Sequence, residues 1–204
     1  MIHQPIGIDA LARSILADYA RRFPKKHACP VDLEHFAQAY LGLRIGYTTL
    51  TDNIGVLGIS VGETTLIEIQ RAEPTGEFVV PEDTILIDKR LLSSGCSTRL
   101  RFTLAHEIAH QVLLRHSGDP SDSHANVLAA ALLMPREQVE KRMFPAKFYT
   151  SYEGRFNTWD YMRIKKAADS LRVSASALTI RLRELGFVQY KPISEYIDPL
   201  LISA

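Results

Sequence analysis

The chain has 204 residues, enough for one compact domain of ordinary size or one domain with a small appendage. Hydrophobic residues make up 46%, so disorder is not expected, and 24 basic against 23 acidic residues leave a net charge of +1, which excludes a global pull toward nucleic acid or membrane. Two cysteines far apart, Cys29 and Cys96, exclude a disulfide framework and suit a reducing cytoplasm.

The opening Met1-Ile-His-Gln-Pro-Ile-Gly-Ile-Asp9 lacks the basic start and apolar core of a secretory signal, so export is not expected. Apolar residues at 8, 11, 12, 15, 16 and 19 predict a helix over 8–23, which Pro24 ends. The basic run 21–27 is short and contains proline, and reads as a solvated linker rather than a nucleic-acid patch. A second helix is expected over 32–40 with Gly42 as its stop, then strands over 43–50, 55–61 and 64–70 joined by turns at 53–55 and 61–63. Residues 71–81 read as a polar loop, and 84–88 as a short strand. That last strand is a candidate edge for docking an extended peptide, against the plainer reading of an ordinary sheet strand.

The most informative run follows: Arg101-Phe-Thr-Leu-Ala-His106-Glu107-Ile-Ala-His110. On a helix, residues four apart lie on one face, so His106 and His110 can offer two imidazole nitrogens to one metal ion. Glu107 is rotated about 100° from His106 and is better placed to reach a water on that metal than to bind it. Three fixed positions can match by chance on a charged helix, but Leu100, Leu104, Ile108 and Val112, widened by Ala105, Ala109 and Leu113, make this helix largely buried. Buried histidines and a glutamate need pairing or a metal.

A catalytic zinc takes three protein ligands and keeps one open position. Candidates for the third are His116, Asp119, Asp122, His124 and Asn126. Gly118-Asp-Pro120 breaks the chain, and Ser121 or Ser123 can cap a following helix that contains the apolar run 127–134. That run falls far short of the roughly 20 residues needed to span a bilayer. Asp122 and Asn126 would share a helix face, whereas His124 is turned about 200° from Asp122. His116 also reads simply as a cation favoured at a helix C-terminus.

The run at 101–110, together with Ala125-Asn126-Val-Leu-Ala-Ala-Ala-Leu-Leu-Met134-Pro135 in order and at ordinary spacing, resembles the ImmA/IrrE family of bacterial metallopeptidases over about residues 30–190. The resemblance implies that His106 and His110 bind zinc, that Glu107 is the catalytic glutamate, and that the acidic residue four before the asparagine, Asp122, is the third ligand. The chain departs from the commoner Glu there and has His124 at the second acidic position. Asp is an equally good oxygen donor but one methylene shorter, and His124 is a rival that would make a three-histidine site. Asp122 is favoured because it shares a face with Asn126, a plausible hydrogen-bond partner behind a ligand histidine.

Beyond Pro135, a short helix is expected over 136–142, then an irregular aromatic loop over 144–156. Tyr149, Tyr152 and nearby Tyr161 could reach a metal cleft and stabilise an oxyanion, or could pack in a core; none is assigned. Residues 159–171 and 174–185 read helix, turn, helix, with Ser174 as N-cap and Gly186 as stop. Residues 155–191 hold eight basic and three acidic side chains, compatible with phosphate contacts but lacking a clustered base-reading pattern, so DNA binding is a minority reading.

The expected fold is α+β: a helix-rich, minimal zincin-like metallopeptidase domain with a small, mainly antiparallel sheet over 1–156, a helix-turn-helix-like segment over 157–190, and a tail over 191–204. The expected activity is cytoplasmic zinc endopeptidase. The resemblance implies a specific regulatory substrate, such as a repressor or antitoxin-like transcription factor, and so a place in gene regulation. The alternative is a zinc-containing regulatory protein that binds DNA or a repressor without cleaving it.

Overall fold

The computed structural model describes residues 7–26, 29–50, 55–69, 76–93, 95–118, 121–143, 156 and 158–188. The expected turn residues Asn53 and Ile54, the Asp119-Pro120 breaker, Tyr149 and Tyr152 of the aromatic loop, and the tail lie outside the described residues. The chain divides into two compact units, Met1–Leu132 and Leu133–Ala204.

In the first unit, α1 (Ile8–Arg22) buries Ala12, Ile15 and Tyr19 along one stripe. The second helix starts as α2 (Leu33–His35), capped by the Asp32 carboxylate accepting from the His35 backbone N–H at 3.1 Å, and widens into a π-helical turn over Phe36–Tyr40. Tyr19 anchors an aromatic cluster here. Its ring meets Phe36 edge-on at 5.1 Å, and its hydroxyl pairs with His35 Nδ1 at 2.8 Å.

Five strands follow: β1 (Arg44–Thr48), β2 (Gly58–Val61), β3 (Thr65–Ile69), β4 (Gly76–Val80) and β5 (Thr84–Asp88). They form two sheets. The first is mixed, in the order β1-β5-β2, with β1 parallel and β2 antiparallel to β5. The second is the antiparallel hairpin β3-β4. Two sequence expectations change. Strand β4 arises within the expected polar loop over 71–81, where Gly-Glu-Phe-Val-Val pairs residue for residue with β3. Strand β5 is central rather than an edge: it is paired on both sides, and Ile85 and Ile87 are fully buried. A strand paired on both sides has no backbone groups left for a peptide, so β5 cannot dock one.

After a 3₁₀ turn over Lys89–Leu92 comes the long helix α3 (Ser97–Ser117), which packs on β2 and β5. It buries Leu104, Ala105, Ile108, Ala109, Val112 and Leu113 as the 3.6-residue period requires. Gly118 ends it in the left-handed conformation, φ 67°, with its N–H on the Leu113 carbonyl. Helix α4 (Asp122–Leu133) is buried at Ala125 and at every residue from Leu128 onward.

The second unit contains α5 (Arg136–Met143), α6 (Thr158–Leu171) and α7 (Ala175–Glu184). A tight turn joins α6 to α7, and Ser174 caps α7 by accepting from the Ala177 N–H at 3.1 Å. Tyr161 packs against Phe156, Ala175 and Val188. Arg181 is fully buried, with its Nε donating to the Met134 carbonyl at 3.2 Å. No helix among the described residues is long and apolar enough to cross a membrane.

Candidate metal centre

Helix α3 presents two functional rows. Along one, His106 and His110 stand one turn apart with their rings nearly perpendicular, at 84°, and their Nε2 atoms 2.9 Å apart. At that distance one ring's N–H can donate to the bare nitrogen of the other. The first turn of α4 brings an Asp122 carboxylate oxygen to 3.2 Å from His110 Nε2 and 3.9 Å from His106 Nε2. All three donor atoms lie within 4.8 Å of one another. Metal–nitrogen and metal–oxygen bonds of about 2.0–2.2 Å in a tetrahedron place donors about 3.3 Å apart, so the separations bracket the value a zinc-sized ion requires. Two neutral imidazoles and one carboxylate are also the right chemistry for a borderline ion.

The electrostatics agree. Burial, reinforced by the His110 neighbour, holds the His106 imidazole below its ordinary value, and a hydrogen bond from the ring to the Asn126 side chain and the Asp122 charge oppose that only in part. A neutral ring is the form that binds metal. Asn126, one turn along α4 from Asp122, lines the cleft beside the His106 ring, whose buried Nδ1 has no hydrogen-bond partner among the described residues. His124 is exposed on α4 and does not join the cluster. His116, near the end of α3, turns its Nδ1 to the Val112 carbonyl at 2.9 Å.

The second row of α3, Thr103, Glu107 and Gln111, faces β2. Glu107 is 6% exposed, and burial pushes its carboxyl up to about 7 against a hydrogen bond from the Ser60 hydroxyl. The Asp122 charge pushes it the same way as burial. A carboxyl near neutrality can take a proton and give it back at physiological pH. Gln111 is 2% exposed, with its side-chain oxygen lacking a hydrogen-bond partner.

Strand β2 lies over this row. Leu57 accepts the Asp88 N–H at 2.9 Å, so by antiparallel alternation Leu57, Ile59 and Val61 direct their backbone groups to β5, while Gly58 and Ser60 direct theirs to the open edge. Between that edge and the histidines runs a cleft of about 650 Å³, walled by Val56, Ile59, Phe102, Thr103 and Leu114. Sequence reasoning placed the histidines, Glu107, Asp122 and Asn126, but missed Gly58 and Ser60. Their signal was Gly58-x-Ser60-x-Gly62, small residues at strand period on one face, which marks a close backbone approach.

Two histidines one turn apart, a buried glutamate beside them and an acid from the next helix, set under a strand edge, define the metallopeptidase class. Residues 83–183 match the family model described as Peptidase_M78, IrrE N-terminal-like domain, which supports the ImmA/IrrE family for this segment. No curated protein matches the chain. The matched segment begins just before β5 and ends within α7, so it holds His106, Glu107, His110 and Asp122 but not β2.

Proposed function

We propose that this protein is a zinc-dependent endopeptidase of the bacterial cytoplasm that cuts one peptide bond in a regulatory protein, a transcriptional repressor or an antitoxin-like factor. The observation that carries the peptidase reading is the convergence of His106, His110 and Asp122 beside a buried Glu107. These three side chains would hold the metal, with Asp122 rather than His124 as third ligand. When bound, the metal supplies Lewis acidity that polarises a carbonyl and acidifies water. Glu107 takes the proton of the attacking water at a carboxylate oxygen and passes it to the departing amine nitrogen. Asn126 keeps the His106 ring oriented. An extended substrate docks by strand addition along the open edge of β2, where Gly58 and Ser60 offer backbone groups, replacing the role first expected of residues 84–88.

The rival reading, a zinc-containing protein that binds DNA or a repressor without cleaving it, draws on the α6-turn-α7 pair. It is weakened by Arg181, a basic residue of α7 that is fully buried and engaged with Met134, and so is lost to phosphate contacts. The test is to incubate the zinc-loaded protein with a bacterial lysate and map newly formed protein N-termini. The peptidase reading expects one or a few discrete new termini that disappear with Glu107→Gln. Termini that persist with that variant, or none at all from a zinc-loaded chain, would transfer the assignment to the binding-protein reading.

A further inference from the structure

We propose that Ser60 is a positioning residue for Glu107, and that the tract Gly58-Ile-Ser60-Val-Gly62 exists to bring its hydroxyl there. This rests on the peptidase reading above. Residues 58, 60 and 62 share the face of β2 turned to α3. A Cβ at Gly58 would lie 2.6 Å from Glu107 Oε1, 2.9 Å from Glu107 Cγ and 2.9 Å from Thr103 Cγ2, and one at Gly62 would collide with Leu114 Cδ2. A side chain is therefore excluded at Gly58, one at Gly62 would require Leu114 to move, and the strand lies close enough for a side chain as short as serine to reach the carboxylate. The Ser60 hydroxyl hydrogen-bonds the Glu107 carboxyl, and both residues line the same cleft.

The chemistry fits that role. A carboxylate at the end of three rotatable bonds has no fixed orientation unless a donor holds it. A hydroxyl donates one hydrogen bond and leaves the other lone-pair sites of the carboxylate for water. The backbone of the same residue faces the open edge. Ser60 thus ties the strand that would hold substrate to the group that would move the proton.

Acetohydroxamate provides the test, because it chelates zinc while giving its proton to a neighbouring carboxylate. Its dissociation constant is measured by calorimetry for the zinc-loaded wild type, Ser60→Ala, Glu107→Gln and the double variant, after zinc per chain has been determined for each. A hydrogen bond to a charged group is worth on the order of tenfold in binding. Ser60→Ala is expected to weaken binding roughly tenfold in the wild-type background and less than about twofold in the Glu107→Gln background. General loosening of the fold weakens both equally and cancels in the cycle. Equal losses in the two backgrounds, or no loss in either, would overturn the assignment of Ser60 while leaving the metal centre intact. A wild type that takes up no zinc would overturn the peptidase reading itself, and is recognised before any hydroxamate is added.

Discussion

Replacing Gly58 by alanine probes the contact between β2 and α3 most directly. Ordinary van der Waals contact begins at 3.4 Å, so a methyl group there is 0.8 Å too close to Glu107 Oε1 (3.4 minus 2.6) and 0.5 Å too close to both Glu107 Cγ and Thr103 Cγ2 (3.4 minus 2.9). The carboxylate tip can swing aside, but Cγ is nearer the backbone and Thr103 is β-branched and stiff at χ1. The strand must lift or Glu107 must leave its rotamer. Overpacking of this size costs about 1–3 kcal/mol, and a displacement approaching 1 Å in a catalytic group costs on the order of 100-fold in rate. Urea denaturation of the metal-free protein reads the first, and the Glu107-dependent appearance of new N-termini in a lysate reads the second. Zinc per chain should remain at the wild-type value, since none of the three proposed ligands is touched. A Gly58→Ala protein with wild-type urea midpoint and wild-type cleavage would refute the close approach on which this reasoning depends.

Three further outcomes are expected. Asp122→Ala should lose zinc on purification without added metal while His124→Ala retains it; the reverse, read by elemental analysis, would make His124 the third ligand. Glu107→Gln should stabilise the metal-free protein as pH rises: a carboxyl raised from 4.5 to about 7 holds an extra proton in the native state across that window, so native stability falls through it, by about 3 kcal/mol in the limit. Urea midpoints at pH 5 and pH 8 should show the gap between variant and wild type opening with pH, and a constant gap would refute the burial argument. Asp88 is fully buried, and hydrogen bonds and charge from Arg90, with the Leu50 N–H, outweigh burial and hold its carboxyl below the ordinary 3.8. The stability it confers is present above that value and lost as pH falls below it, so Asp88→Asn should cost about 1–3 kcal/mol at pH 7 and much less near pH 3 by the same assay.

The α3 motif was legible because helical geometry is local: spacing four puts His106 and His110 on one face whatever the rest of the chain does, and the leucine stripe fixes which face is buried. The sheet was not, because spatial order is not sequence order. Strand β5 follows β4 in the chain yet lies between β1 and β2, so its edge character could not be read from its own five residues. Strand β4 was hidden by its flanks and by its setting in a hairpin where Leu66 and Val79, directly paired, stay 63% and 66% exposed. With little core to face, the hairpin carries little of the hydrophobic alternation that betrays a strand. The role of Ser60 needed the third dimension, although its flanking glycines announced that something must come close.

The site is made of two parts that lie far apart along the chain. His106, His110 and Asp122 all come from two consecutive helices, whereas Ser60 and Gly58 arrive from a distant strand laid over them. Warming that frees the sheet margin from α3 would leave the three proposed ligands together and stop the proposed reaction. Inactivation should then precede zinc release on a thermal ramp and reverse on cooling, so metal content overstates the competent fraction of an aged preparation. A sample would be judged fit for use by hydroxamate titration rather than by its zinc.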